Sequence, residues 1–306
     1  MSQAMAPILV FGATGQQGGS VADALLKAGR SVRALVRDSA SEKAATLGGR
    51  GVELVRGDLS DPVSIRRAMM GVHGVFSVQP SSPTGELSDV DEVRYGISIA
   101  DIAVEAGVGH LVYSSTGALG DEPTGLGHFD SKARVEAHIH TISLTWTIVR
   151  PVAFMDMLTM PGFGLDEDRF NFFARPDQSM QLLAVEDIGK FVAPIFADEG
   201  RFGGQTLEIA SDTVTGAGIG AAFSKAAGRP IAYSRFPDQM LAGNPFLGGL
   251  TALLDTGPLA GHADLDALRL LNPEMQSFEA WLTGSGRAKF QEALGTPGKW
   301  GYDRSA

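Results

Sequence analysis

His128 and Lys132, a histidine and a lysine four residues apart, are two side chains in this sequence that could carry out chemistry together. Residues 128–142 are predicted to form a helix, and side chains at positions i and i+4 share one helix face. An imidazole exchanges protons near neutral pH, so His128 could donate a proton. It could also hydrogen-bond a ligand or nearby backbone, or begin the helix without any further role. The hydrogen-bonding interpretation is favoured.

Three glycines at a spacing of three, Gly12, Gly15 and Gly18, lie in the segment FGATGQQG between the first predicted strand and the first helix. The first would let the chain turn sharply, the second would let the backbone approach a pyrophosphate, and the third would let the helix pack closely on the sheet. A helix N-terminus also offers N–H groups to phosphates. The alternative is a plain strand–helix turn, but its place in the fold predicts a dinucleotide site. Further cofactor-binding residues predicted here are Thr14, Gln16 and Gln17.

Arg37 follows the second predicted strand, where an NAD site usually has an acidic residue for the ribose 2′-hydroxyl. An arginine at this point can bind a 2′-phosphate and stack on adenine, and Lys43 could add charge. We therefore expect NADP(H) in preference to NAD(H). Two features leave NAD(H) open, since Asp38 follows directly and Arg37 could be a solvated residue at the end of a strand.

Short apolar segments alternate with helical segments through the first half of the chain. Strands are predicted at 7–11, 31–36, 52–55, 74–78, 111–114 and 144–149, and helices at 20–29, 41–47, 61–70, 86–106 and 128–142. This alternation is typical of a parallel sheet with helices on both faces. Right-handed crossovers then favour a doubly wound, Rossmann-type α/β fold.

The alternation stops after residue 151, and proline, glycine, phenylalanine and methionine become frequent up to residue 176. Further elements are predicted as helices at 185–197 and 215–227, strands at 206–210 and 231–235, and helical patches after 237. We therefore predict a Rossmann domain over residues 1–151. A smaller α+β region over residues 152–306 would contact substrate or a partner, and its elements could interleave with the first domain.

Composition excludes several classes of protein. Among 306 residues, 44% are apolar and 20% are charged, as in a soluble globular protein. There is no cysteine, which excludes disulfides and thiolate sites, and the six histidines are scattered, so no metal site is expected. A net charge of −10 without clustered lysine or arginine argues against direct nucleic-acid binding. No apolar run reaches membrane-spanning length and no signal peptide is recognised, so we expect a cytoplasmic location.

Several longer stretches carry a family resemblance, namely VFGATGQQGGSVADALL at 10–26, GDLSD at 57–61, LVYSS at 111–115, HFDSKARVEAHI at 128–139 and LNPEMQSFEAWL at 271–282. With these stretches the sequence resembles the NmrA-like family, whose members are atypical members of the short-chain dehydrogenase/reductase superfamily. The HFDSK and LNPE segments look closest to NADPH-sensing animal members. Related subgroups include bacterial NADPH–quinone reductases. The resemblance implies an NADP(H)-binding Rossmann domain with a small C-terminal domain. It does not imply one function, since some members only bind the cofactor and others transfer hydride.

The resemblance also implies roles for individual residues. In relatives with a YxxxK motif, the tyrosine exchanges a proton with the substrate and the lysine holds the nicotinamide ribose. Here His128 stands in the position of that tyrosine, and Lys132 stands in the position of the lysine. The alternative for Lys132 is a plain surface lysine without this role. Ser114 and Ser115 stand where the superfamily has its catalytic serine or threonine. The implied catalytic residues are Lys132, His128 and Ser115, and the implied cofactor contacts are Asp58, Leu59, Val78, Gln79, Ser114, Lys132, Pro151 and Phe154.

Loss of the tyrosine argues against ordinary alcohol dehydrogenase activity, because reducing a ketone builds up alkoxide charge that needs a nearby acid. A reduced quinone delocalises its charge and can take protons from water. We therefore expect an NADPH-dependent oxidoreductase that reduces a quinone-like or conjugated acceptor by direct hydride transfer. The alternative is a non-catalytic NADP(H) redox sensor that acts through a protein partner. A ketone reductase that uses His128 as its acid is a third possibility, and the protein could form a homodimer.

A small apolar or aromatic acceptor would need a pocket of aromatic and methionine side chains. The predicted substrate-pocket residues are Ser115, His128, Phe154, Met155 and Met157, with Val152, Leu158, Phe163, Phe172 and Phe173 as further candidates. Each apolar residue of this set could equally belong to a hydrophobic core. If the protein is a regulator, the apolar segment at 246–254 could bind its partner, although it could also cover the pocket.

Overall fold

The structure is a computed structural model that describes residues 6–81, 87–120 and 122–297. The chain forms two compact units that alternate along the sequence. Unit 1 comprises Met1–Thr116, Gly127–Pro151 and Val185–Leu207, and unit 2 comprises Gly117–Leu126, Val152–Ala184 and Glu208–Ala306. The chain leaves unit 1 after Pro151, and it also changes unit at four other points.

Unit 1 has the α/β organisation that the sequence predicts. Its strands are β1 (Ile8–Val10), β2 (Val32–Val36), β3 (Glu53–Arg56), β4 (Gly74–Ser77), β5 (His110–Ser114), β6 (Thr145–Pro151) and β10 (Gln205–Ile209), which ends in unit 2. Its helices are α1 (Gln16–Lys27), α2 (Glu42–Gly49), α3 (Pro62–Met69), α4 (Asp89–Glu105), α5 (Gly127–Ile139), α6 (Val185–Ala197) and α7 (Glu199–Phe202). The predicted Rossmann-type fold is confirmed.

Within the described residues these strands form one seven-stranded sheet in the order β10-β6-β5-β4-β1-β2-β3. Strands β1 to β6 are parallel to one another, and Ile8 of β1 stands between Val32 and Gly74 of its two neighbours. From β1 the chain continues to β2 and β3 on one side of the sheet, and from β4 it continues to β5 and β6 on the other side. The strand order therefore reverses between β1 and β4. Open α/β sheets bind their ligands outside the carboxyl ends of the strands at this point of reversal.

Close helix packing holds the elements of unit 1 in place. A Cβ on Gly189 of α6 would lie 2.1 Å from the Ser20 carbonyl oxygen of α1, so only glycine permits this approach. The Ser20 hydroxyl accepts a hydrogen bond from the Gly189 N–H at 2.9 Å. On the opposite face, a Cβ on Gly96 of α4 would lie 2.7 Å from the Val135 side chain of α5. Glycine therefore permits close packing in both helix pairs, α1 with α6 and α4 with α5.

Several helix ends differ from the sequence prediction, most of all the start of α1 and the end of α5. Helix α1 begins at Gln16 rather than residue 20, because Gly18 and Gly19 form part of its first turn. Glycine is a poor helix former, which is why the pattern predicted a later start. Helix α5 ends at Ile139, three residues before the predicted end. The predicted start of α4 at residue 86 lies outside the described residues, and the described helix begins at Asp89 with Ser88 as its N-cap.

Unit 2 contains small sheets and a series of short helices. Its strands are β7 (Ala153–Phe154), β8 (Arg169–Phe172), β9 (Ser179–Leu183), β11 (Asp212–Thr215) and β12 (Ala232–Arg235), and its helices are α8 (Gly216–Ala227), α9 (Asp238–Gly243), α10 (Pro245–Thr256), α11 (Leu265–Leu271), α12 (Phe278–Thr283) and α13 (Arg287–Gly295). Strands pair as β11-β9-β7 and as β12-β8. An aromatic core includes Phe170 and Phe223, whose ring centroids are 4.9 Å apart.

In the parts of the chain that the structure describes, no helix combines the length and the apolar composition that a membrane crossing needs.

Candidate functional site

The carboxyl ends of β1, β4 and β5 lie next to one another at one edge of the unit 1 sheet. Each strand is followed there by residues predicted to bind a cofactor. The turn with the three glycines follows β1, Val78 and Gln79 follow β4, and Ser114 and Ser115 stand at the end of β5. Neighbouring parallel strands therefore bring these predicted site residues to the same edge.

The glycine turn has the conformation that its spacing predicts. Gly12 has φ of +66°, in the left-handed region that glycine adopts without strain. A Cβ on Gly18 would lie 2.4 Å from the carbonyl carbon and oxygen of Gly12, and 2.6 Å from the oxygen of Phe11. Gly15 donates its N–H to the Gly12 oxygen at 2.8 Å and is the N-cap of α1. The start of α1 thus packs directly on the backbone at the end of β1, and any larger residue at position 18 would prevent this approach.

The N-terminus of α1 is open toward solvent. Thr14, Gly15 and Gln16 are exposed, and Gly15 provides no side chain to cap the first turn. Gln17 turns inward, and its Oε1 accepts a hydrogen bond from the Ser114 hydroxyl at 2.7 Å. Free N–H groups and the positive end of the helix dipole suit an anionic ligand. The Gln17–Ser114 bond ties the start of this helix to the end of β5.

The ends of β2 and β3 bring a cation next to a carboxylate. Arg37 is exposed directly after β2, and its charge helps to lower the pKa of Asp58. Hydrogen bonds from Ser60 are the larger cause of that low pKa, since its hydroxyl and its N–H both reach Asp58 Oδ1, at 2.5 and 2.8 Å. Asp38 accepts a hydrogen bond from the Ala40 N–H at 2.9 Å. The Asp38 carboxylate therefore stabilises its own turn, while the Arg37 guanidinium stays exposed.

The remaining residues predicted to contact the cofactor in unit 1 differ in exposure. Val78 is half-buried, and its Cγ1 lies 3.0 Å from the point where a Cβ on Gly12 would stand. Gln79 is buried and donates a hydrogen bond to the Ser77 hydroxyl at 2.8 Å. Leu59 packs against the apolar core, and Pro151 is buried at the end of β6.

Lys132 forms a largely buried ion pair with Glu92 of α4, at 2.5 Å between Nζ and Oε1. The ammonium also donates to the Ser81 hydroxyl at 3.1 Å and to the His128 carbonyl oxygen at 3.0 Å. The other oxygen of Glu92 accepts from the Ser131 hydroxyl at 2.9 Å. Burial raises the pKa of Glu92, although Lys132 acts in the opposite direction. Lys132 is thus held in a network and is not a plain surface lysine.

His128 stands one turn before Lys132 on α5 and is half-buried beside Phe129, with ring centroids 3.9 Å apart. Burial, together with the nearby Lys132 charge, lowers the pKa of His128 to about 4. The imidazole is therefore neutral near pH 7. In that state it can donate or accept a hydrogen bond, but it holds no extra proton to give to a substrate.

Two hydroxyls of β5 and its end are buried. Among the described residues neither Ser115 Oγ nor Tyr113 Oη has a hydrogen-bond partner. Unpaired buried polar atoms are uncommon, and at the edge of a sheet they often face a ligand. Ser115 lies one residue beyond the carboxyl end of β5, whereas Tyr113 lies inside the strand and burial raises its pKa well above the usual value. Ser115 is therefore the one that stands at the ligand-binding edge.

The predicted pocket residues of unit 2 have diverse environments. Phe154 is half-buried at the end of β7, Met155 is completely buried, and Met157 is 49% exposed. The further candidates Leu158, Phe163, Phe172 and Phe173 are all buried in the apolar core of unit 2, together with Met155. For these five side chains the core accounts for their apolar character. The role of this set in a substrate pocket stays a prediction.

Sequence reasoning missed Glu92. In α4 the apolar Val104 is 38% exposed, whereas the buried face includes Glu92 and Gly96. A glutamate four residues before a glycine on the buried face was the available signal, because buried carboxylates need a partner. Among the described residues, no cluster of three or more histidine and acidic side chains could hold a metal ion.

Residues 5–258 match the NmrA-like family. A NAD(P)H azoreductase of Xenophilus azovorans is 31% identical over 227 residues, which cover 74% of this chain and 76% of that relative. An NmrA-like family domain-containing oxidoreductase of Malbranchea aurantiaca is 32% identical over 234 residues, which cover 68% of this chain and 69% of that relative.

Solved structures share the fold. NmrA, a negative transcriptional regulator, in complex with NADP superposes with a TM-score of 0.78 at 22% identity, covering 95% of this chain and 98% of NmrA. NmrA has also been solved in complex with NAD. The triphenylmethane reductase of Citrobacter sp. complexed with NADP(H) gives a TM-score of 0.73 at 21% identity, covering 94% of this chain and 100% of that enzyme.

Proposed function

Because this chain belongs to the NmrA-like family, we propose that it is an NAD(P)H-dependent oxidoreductase that reduces a conjugated, quinone-like acceptor by direct hydride transfer. The observation that carries this proposal is the phosphate-binding geometry of the turn from β1 to α1. That turn stands at the point where the strand order reverses, which is where Rossmann-type sheets bind dinucleotides. The relatives named as oxidoreductases support the reaction class.

The residues at this edge fit a dinucleotide. A Cβ on Gly12, Gly15 or Gly18 would lie 3.2 Å or less from a neighbouring atom, and the first turn of α1 is exposed. The backbone N–H groups of Gln16 and Gln17 would hold the phosphates, and Lys132 and the unpaired Ser115 hydroxyl would hold the nicotinamide end. When bound, a nicotinamide cofactor supplies a hydride, which is its own chemistry, while the protein orients it.

Arg37 supports NADP(H) over NAD(H). Its guanidinium is exposed after β2, and the neighbouring Asp38 carboxylate accepts a hydrogen bond within its own turn. A guanidinium makes paired hydrogen bonds to a phosphate, whereas the ribose 2′-hydroxyl of NAD(H) is better held by a carboxylate. The preference rests on this residue, since NmrA has been solved with each of the two cofactors.

The state of His128 supports a conjugated acceptor. With its pKa lowered to about 4, His128 is not a general acid near pH 7, so this residue does not supply the proton that a ketone would need. A quinone accepts a hydride to give a delocalised anion and then takes its proton from water. A triphenylmethane dye cation accepts a hydride with no proton. The names of the azoreductase and the triphenylmethane reductase are in line with acceptors of this kind.

The test is loss of NADPH absorbance with a quinone, an azo dye and a triphenylmethane dye, with a simple aliphatic ketone as the control acceptor. We expect turnover with at least one conjugated acceptor and none with the ketone. Lys132→Ala should abolish it, whereas Lys225→Ala, at an exposed position in unit 2, should leave it unchanged. Tight NADPH binding without turnover on any acceptor would refute the enzyme proposal.

A non-catalytic NADP(H) sensor is the second candidate, and the same feature of His128 favours it. A site without an acid can bind the cofactor without completing a reaction. A sensor must bind NADPH and NADP⁺ with different affinities, because a ligand shifts a conformational equilibrium only by its differential affinity. Equal dissociation constants for NADPH and NADP⁺ would rule out this function. The segment of α10 over residues 246–254, most of which is half-buried, is where a protein partner would be sought first.

A further inference from the structure

Glu92 is fully committed to two side chains of α5. Its side chain is 1% exposed, Oε1 accepts from Lys132 at 2.5 Å, and Oε2 accepts from Ser131 at 2.9 Å. A carboxylate with both oxygens occupied in this way has little capacity left to bind substrate or exchange a proton with it. Its chemical role must therefore act through one of its partners.

Lys132 is the partner that can reach a ligand. An ammonium has three N–H donors, and here they go to Glu92, to the carbonyl oxygen of His128 and to the Ser81 hydroxyl. The bond to Glu92 is charge-assisted, and the bond to His128 lies within one turn of the same helix. The Ser81 hydroxyl is a neutral group on the loop after β4, so it is the partner that a ligand hydroxyl can replace at the lowest cost.

The distance between α4 and α5 is fixed one turn beyond this pair. A Cβ on Gly96 would lie 2.7 and 2.8 Å from the two methyl groups of Val135. Gly96 follows Glu92 by four residues, and Val135 follows Lys132 by three. The glycine thus lets the helices approach closely enough for the carboxylate and the ammonium to meet directly.

We propose that Glu92 is a positioning residue that keeps Lys132 protonated and directs the N–H now donated to Ser81 toward a hydroxyl of the bound cofactor. The proposal rests on the proposed cofactor site. A buried amine without a compensating charge favours its neutral form, and a neutral amine both loses its attraction for the cofactor and gains nucleophilicity. Glu92 would prevent both changes.

Other charged and titratable groups surround the pair. Asp89 of α4 acts on both Glu92 and His128, and Tyr113 of β5 lies close enough to Glu92 for its pKa to be affected. His128 itself is neutral above about pH 4. Tyr113, with its pKa raised by burial, stays protonated through the pH range of the test.

The first experiment needs no cofactor. Trace acetylation by acetic anhydride, measured by mass spectrometry as a function of pH, compares Lys132 with exposed Lys225 in the same sample. In Glu92→Gln the amide keeps the shape and the hydrogen-bond acceptor but removes the charge. We expect the relative rate at Lys132 to rise about tenfold, because more of the amine is neutral. Glu92→Asp keeps the charge and should remain within about threefold of the natural protein.

Equal rates at Lys132 in Glu92→Gln and in the natural protein would overturn the proposal. Glutamine and aspartate variants that behave alike would overturn it too, because shape and not charge would then decide. Circular dichroism verifies that each variant is folded. If the glutamine variant does not fold, Glu92→Asp alone decides, and a rate at Lys132 changed by more than about threefold contradicts the proposal.

The second experiment measures the dissociation constant for NADPH by fluorescence from about pH 7 to about pH 9. Glu92→Gln should bind about tenfold more weakly at the upper end, while the natural protein changes little. Glu105→Gln is the matched control, since Glu105 lies on the same helix in an exposed pair with Arg66. A flat profile for Glu92→Gln would overturn the cofactor part of the inference. Failure of the natural protein to bind NADPH at any pH would refute the proposed function, whatever the acetylation result.

Discussion

Replacing Gly18 by alanine gives a sharp test of the glycine turn. The new Cβ would lie 2.4 Å from two backbone atoms of Gly12 and 2.6 Å from the Phe11 oxygen. Nonbonded carbon atoms at rest are about 3.5 Å apart, so α1 must move about 1 Å away from the end of β1. The obstacle is backbone and cannot rotate away. We therefore expect a cost near the upper end of the range for overpacking, about 3 kcal/mol.

Alanine also favours a helix by about 1 kcal/mol relative to glycine, which leaves a net loss of about 2 kcal/mol in the free energy of unfolding. Urea denaturation followed by circular dichroism measures this. Gly49→Ala in α2 is the matched control, because no described atom lies within 4 Å of the site of its Cβ. That variant should be as stable as the natural protein or more so.

The same displacement moves the first-turn N–H groups of α1 away from the position in which they would hold phosphates. NADPH affinity should therefore fall at least about tenfold in Gly18→Ala, and it should be unchanged in Gly49→Ala. Equal stability of the two variants would refute the steric argument. Lower stability combined with undiminished NADPH affinity would show that the turn does not bind the phosphates.

Three further predictions concern single residues. Arg37→Ala should weaken NADPH binding by about tenfold or more and leave NADH binding nearly unchanged, which fluorescence titration of both cofactors will show. His110 is buried, and burial lowers its pKa to about 4, so the unfolded chain takes up a proton at higher pH than the folded protein does. Neutral His110 therefore costs no stability above about pH 6.5, and the free energy of unfolding falls by about 3 kcal/mol as the pH drops to about 4. Urea unfolding curves measured across this range should show this fall in the natural protein and not in His110→Asn. An unchanged pH slope in that variant would contradict the assignment. Asp61 caps α3 by accepting from the Val63 N–H at 3.0 Å, and Asp61→Ala should cost about 1 kcal/mol in the free energy of unfolding, whereas no loss would mean that the cap is dispensable.

The sequence predicted unit 1 well because its signals are local. Each buried strand is a short apolar run, and Asp61 with Pro62 marks the start of α3 as predicted. The three glycines indicated the turn, its left-handed residue and the close approach of α1. The start of α1 was misplaced because Gly18 has two effects of opposite sign, lowering helix propensity while permitting the packing that holds the helix.

The rest depended on contacts between distant residues. The ion pair of Glu92 with Lys132 joins residues forty positions apart and needs the close approach at Gly96, and the spacing of Glu92 and Gly96 alone does not identify the partner on α5. The low pKa of His128 likewise arises from burial in the folded unit, whereas the sequence alone predicts an ordinary imidazole. In unit 2 the strands β7, β8, β9 and β11 were not predicted, since strands of 2 to 5 residues are too short to show a clear period.

The alternation of the two units along the chain constrains how this protein can fold during its own synthesis. When residue 151 has emerged from the ribosome, β6 is present but its neighbour β10 (Gln205–Ile209) and the helix that packs on α1 are still to be made. An unpaired strand edge readily pairs with other chains. The sheet of the nascent chain therefore stays incomplete, with one edge of β6 unpaired, until a long segment of unit 2 has been translated. The order of the sequence thus builds into synthesis an interval in which the unpaired edge of β6 is open to other chains.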